Sequence, residues 1–152
     1  MPVTPDLFTN PPSSKSTILY AVASVVSLVG MGDAIYLAVE HVAGRSVQCT
    51  IVSGCSEVLS SQYSSVAGIP LALIGAIAYF SVFSLATLAA FGYRGTGKLL
   101  TLVVALMFVT SLWLIYLQAF VIKAFCQFCL LSALVTFILM GLMVAIIIRE
   151  RT

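Results

Sequence analysis

The chain has 152 residues, 61% of them hydrophobic and 8% charged, with a net charge of +2 and a mean hydropathy of +1.16. That composition leaves too little polar surface for a soluble globule and makes a bilayer the expected solvent. The lysines and arginines are scattered, not gathered in a stripe, so the footprint that nucleic-acid binding requires is missing.

Residues 1–16 hold four of the five prolines together with Ser13, Ser14 and Ser16, a composition that resists regular structure and predicts a disordered tail. The first apolar run extends from Ile18 to about Val39. It is longer than a signal-peptide core of about 7 to 15 residues and is followed by no A-x-A cleavage site, so it is expected to stay as the first membrane span. From Glu40 to Ser65 the chain turns polar and serine-rich, with Gly44, Gly54, Cys49 and Cys55, which predicts the one long loop.

Gly68-Ile69-Pro70 opens the second span, because the fixed φ of proline suits a first helical turn, and the span runs to about Phe91. Gly92, Gly95 and Gly97 end it. The third span covers Leu99 to Ile122, and the fourth begins near Phe125 and reaches Ile148, a few residues after the third, so the two form an antiparallel hairpin. A span takes about 20 apolar residues, which four spans at about 18–39, 69–91, 99–122 and 126–148 satisfy. The expectation is an all-α membrane protein: one four-transmembrane-helix bundle over residues 17–149, with no internal repeat and no strand-like alternation.

Lys15, Arg94, Lys98, Arg149 and Arg151 fall on one side of these spans and Arg45 and Lys123 on the other. The positive-inside rule then puts both termini in the cytoplasm and, in a plasma (inner) membrane, the long loop and the third-to-fourth turn on the outer side. All four cysteines gather at that outer face.

Cys126-Gln127-Phe128-Cys129 is a C-x-x-C at the start of the fourth span. Its two sulfurs are three apart on one helical face, close enough for a disulfide. The positive end of the helix dipole favours a thiolate there, as thiol exchange requires. Half a zinc site, completed by Cys49 and Cys55, is the competing account, but the spacing of the loop pair is wider than usual for zinc. A membrane thiol or metal sensor without catalysis therefore stands as the alternative function. Two pairs at one face suggest a relay, in which a loop cysteine attacks through a mixed disulfide and electrons pass to a lipid-soluble acceptor. No Cys-rich cluster motif and no dinucleotide fingerprint is present, and a membrane quinone is the acceptor at hand.

The loop pair Cys49 and Cys55, then Ser61, then Gly68-Ile69-Pro70-Leu71, and last Cys126-Gln127-Phe128-Cys129 resemble, in that order, the vitamin K epoxide reductase family in its prokaryotic branch. The likeness covers about Ile18 to Ile148. DsbB-type quinone enzymes differ in carrying their C-x-x-C in the first outer loop. The resemblance implies a four-helix enzyme that takes electrons from a separate thioredoxin-fold, DsbA-like thiol donor and gives them to ubiquinone, menaquinone or a related naphthoquinone. It implies that Cys49 exchanges with the donor, Cys55 passes electrons to Cys126, and Cys129 faces the quinone, with Ser61 similar to a family serine near the active centre. A capping or surface serine is the plainer account of Ser61. Many prokaryotic members carry a fused thioredoxin-like domain after the last helix, where this chain has four residues past Ile148. Animal members have a tyrosine four residues after the C-x-x-C. Ala133 stands there here, which favours a plain quinone over vitamin K epoxide.

Phe80, Trp113, Tyr116, Phe125 and Phe128 are candidates for the wall of a flat-ring pocket, although aromatics near span ends also serve as interface anchors. Asp33 is the only acidic residue within an apolar run. A proton relay to the quinone is one role for it, but pairing with Lys123 or a place near the headgroups is the expectation. His41, just beyond the first span, is expected to be a solvated loop histidine. Gly30 and Gly32 are expected to mark close helix packing.

Overall fold

The computed structural model describes residues 14–43, 65–66, 68–93, 95–123 and 127–151. Four helices dominate: α1 (Ser14–Val42), α2 (Leu71–Ala90), α3 (Thr96–Tyr116) and α4 (Gln127–Arg151). Each contains a stretch long and apolar enough to cross a membrane, the third one reaching Ile122. The protein is therefore an all-α membrane protein of four spans. Backbone hydrogen bonding, satisfied inside each helix, is what allows these segments to sit in hydrocarbon.

The helices do not stop where hydropathy does. α1 begins at Ser14 and ends at Val42, beyond both ends of its apolar run, because helical hydrogen bonding continues into the interface. α3 does not end at Tyr116 but widens into a π-helix over Leu117–Ile122, closed by Lys123 in the left-handed region at φ +58°. A two-residue pairing also appears that alternation does not reveal: β1 (Ser65–Val66) lies antiparallel to β2 (Ile69–Pro70), Val66 opposite Ile69. Strands this short carry no readable period. Between α2 and α3, Gly92 and Gly95 take φ of +95° and +84°, a conformation that side-chain-bearing residues rarely adopt, and so turn the chain within a few residues.

α1 and α2 form the tightest pair. Ser24 Oγ meets Thr87 Oγ1 at 3.3 Å, Gly30 meets the Tyr79 ring, and Ala34 Cβ lies opposite Gly75. The α2 partner number falls as the α1 number rises, so the helices run antiparallel. Small residues let the two backbones approach, which is how helices associate where lipid offers no hydrophobic drive. A Cβ on Gly30 would collide with the Tyr79 ring, so glycine is required at that point of the seam. Tyr79, Val82, Leu100, Val104, Leu139 and Met143 fill the centre of the bundle.

Candidate active site

Away from the α1–α2 seam the bundle is hollow. A cavity of about 360 Å³ is lined by all four helices. Asp33, Leu37 and His41 enter it from α1, four residues apart and so on one stripe of that helix. Gly75, Ala78 and Tyr79 enter from α2, Met107, Thr110 and Ser111 from α3, and Cys129, Ser132, Ala133 and Thr136 from α4. The π-helix adds Leu117, Gln118 and Ile122, the first two of them buried. Its wider turn brings an amide side chain to a wall that is otherwise mostly aliphatic, in keeping with the recurrence of such segments at functional sites.

Tyr79, 1% exposed, anchors one wall. Its hydroxyl donates to the Ser132 carbonyl at 2.8 Å and lies 2.7 Å from Ser132 Oγ and 3.1 Å from Thr136 Oγ1. Thr136 Oγ1 donates to the same carbonyl at 3.0 Å, so phenol, carbonyl and the two hydroxyls form one closed network. The result ties α2 to α4 one turn beyond Cys129. Gly30 on one side and this network on the other hold the ring in place.

The half-buried Cys129 stands in the first turn of α4 and in the cavity wall. Asp33 also faces the cavity. Its Oδ2 is buried with no hydrogen-bond partner, and no ion pair joins it to the exposed Lys123 among the described residues. The expected pairing with Lys123 is thus corrected: the carboxyl is turned to the bundle interior. His41 is likewise no loop residue, since α1 continues through it and it lines the cavity.

Among the aromatics, Phe80 and Trp113, each 57% exposed, and Tyr116, 49% exposed, do not line this cavity. Trp113 stacks on Tyr116 at 5.8 Å, and Tyr116 packs on Phe120 at 5.2 Å, all on the outer surface of the third span. The physical reason is that lipid accepts large apolar rings, so nothing drives them inward. Phe128 lies against Tyr36 of α1 at 5.3 Å and pins the start of α4 to α1. It too is absent from the cavity wall. Cys49, Cys55, Ser61, Phe125 and Cys126 lie outside the described residues.

The lining residues missed by sequence reasoning are the polar ones inside apolar spans: Tyr79, Thr110, Ser111, Gln118, Ser132 and Thr136. Ser132 and Thr136, four apart, already mark an inward stripe. Ile74, Leu106 and Thr110 belong both to the wall and to the exposed surface, so the cavity opens sideways between α2 and α3. The space suits a flat ring carrying a hydrocarbon tail: it is mostly apolar and has hydrogen-bonding groups at a few points.

Residues 21–144 match the profile described as the Vitamin K epoxide reductase family. No curated protein matches the chain.

Proposed function

The chain belongs to the vitamin K epoxide reductase family, and from that premise we propose that it oxidises a thioredoxin-fold thiol partner outside the cytoplasm and reduces a membrane quinone. Family and helices together make it a multi-pass membrane protein of the oxidoreductase class. The finer reading is supported above all by one observation: a cysteine of the C-x-x-C stands in the wall of a mostly apolar cavity inside a membrane bundle.

In this reading Cys49 receives the partner's electrons by thiolate attack through a mixed disulfide, and Cys55 hands them to Cys126. Cys126 and Cys129 then close their S–S bond, losing two electrons and two protons. A bound quinone supplies the acceptor for that pair of electrons and protons. Cys129 presents its sulfur to the ring, Ser132 and Tyr79 hold the first turns of α4 in register, and Gln118 and the α3 hydroxyls offer hydrogen bonds to ring oxygens. The aliphatic wall excludes water. Ser61 is assigned a place beside the loop pair, Phe125 one just before the C-x-x-C and Phe128 one within it. The two termini are assigned to the cytoplasm and the cysteines to the outer face, by the distribution of lysine and arginine.

The test is redox mapping in cells. With quinone synthesis blocked, alkylation should find Cys126 and Cys129 reduced. Cysteine states indifferent to quinone supply would defeat the proposal.

A further inference from the structure

A para-quinone carries its two oxygens at opposite ends of the ring, and both must be protonated when two electrons arrive. One group cannot reach both. We infer that Asp33 is the acid that protonates the quinone oxygen remote from Cys129, an assignment that rests on the quinone-reducing function proposed above.

The geometry points there in three ways. Asp33 enters the cavity from α1 and Cys129 from α4, so the two groups address a bound ring from different walls. The Tyr36–Phe128 contact fixes α1 against the start of α4. With Asp33 three residues below Tyr36 and Cys129 one beyond Phe128, the two stand within about one helical turn, roughly 5 Å, in depth. Finally, Asp33 brings the carboxyl group among the described residues of the cavity wall, and no neighbour engages its Oδ2, whereas the Tyr79 hydroxyl is taken up by Ser132 and Thr136.

The other titratable groups facing this cavity are Tyr79 on α2, Cys129 on α4 and His41 on α1 itself. The described cavity-lining residues of α3 include none, and no lysine or arginine is among the described residues of the wall. The Tyr79 hydroxyl is engaged by Ser132 and Thr136, and His41 sits two turns along α1 from Asp33, about 12 Å away. Asp33 is the group placed for the role.

The step balances as follows. The Cys126–Cys129 dithiol forms its S–S bond and gives two electrons to the ring. One thiol proton goes to the near ring oxygen. Protonated Asp33 gives its proton to the far oxygen, and the second thiol proton restores Asp33. Dithiol plus quinone thus yields disulfide plus quinol, with Asp33 unchanged.

The experiment uses the full chain in lipid nanodiscs, reduced by dithiothreitol, with short-chain ubiquinone and naphthoquinone as probes. Asp33→Asn keeps the side-chain volume and breaks no hydrogen bond at Oδ2, so it should fold as well as the wild type. Its kcat should fall about 100-fold, the scale of a lost general acid, with KM unchanged. The wild-type kcat should decline as pH rises through one ionisation, and D33N should lose that limb. In redox-difference infrared spectra, a protonated-carboxyl band present in quinone-loaded wild type should vanish in D33N. Asp33→Glu, which keeps an acid, should retain the titration. Equal kcat and pH profiles in D33N and wild type, a carboxyl band that persists in D33N, or a flat profile in D33E would each overturn the role of Asp33. A wild type that reduces neither quinone would overturn the parent function instead.

Discussion

α2 has two sides, and they behave differently. Toward α1 it closes against small residues until a glycine is needed to seat a tyrosine ring. Toward α3 it stands off and leaves a cavity open to the membrane. The contrast teaches that rigidity and reaction space are divided between the two halves of one bundle. The tight seam fixes Tyr79, and through its hydroxyl the first turns of α4, so that Cys129 is held at the edge of the cavity. A bundle packed evenly would have no room for a ring, and one loose throughout would not aim the sulfur.

Substitutions on each side can sharpen or break this division. The largest effect is expected on the hollow side: Cys129→Ala should abolish quinone reduction in a nanodisc assay while leaving the thermal unfolding curve in place. If it reduces quinone normally, the order of the relay is wrong. On the tight side Gly30→Leu should cost about 1–3 kcal/mol through overpacking against Tyr79, seen as a lower unfolding midpoint with activity lost in step. A variant of wild-type stability would show that the seam has slack. Met107→Trp puts bulk into the cavity from α3 and should raise KM for the acceptor about tenfold, or about 1.4 kcal/mol, without lowering stability. Tyr79→Phe keeps the ring in the seam but deletes the hydroxyl, and should cost about 0.6 kcal/mol by thermal unfolding, a usual value for a polar contact between membrane helices. Smallest of all, Trp113→Leu should change stability by less than about 0.5 kcal/mol and leave KM untouched, since the indole lies on the outer surface. A clear rise in KM for this last variant would return Trp113 to the pocket.

How much of this the sequence discloses follows from what the surroundings reward. Four apolar runs separated by glycine, proline and polar stretches announce four helices, because only a helix satisfies its backbone alone in hydrocarbon. Cys129 was readable from its spacing to Cys126, and its place in the first turn of α4 follows from where that helix starts. Which side of each helix looks inward was not readable from hydrophobicity, since lipid and protein core are equally apolar. Phe80, Trp113 and Tyr116 are cases in point: size and aromaticity suggested a pocket wall, and the bilayer accepts them just as well. The better guide is the reverse of the soluble rule. Buried Ser27, Gln118 and Thr136 mark the interior because lipid offers them no partner. Asp33 obeys the same logic. The π-helical end of α3 has no such marker, because Leu117–Ile122 reads like any other helical stretch.

The sideways opening between α2 and α3 changes what concentration means for this protein. Ile74, Leu106 and Thr110 form a doorway that faces acyl chains, so the proposed acceptor arrives within the sheet of lipid and never through water. Its supply is counted per area of membrane. Diluting a suspension of vesicles should leave turnover per protein unchanged, whereas enlarging the same vesicles with quinone-free lipid should slow it.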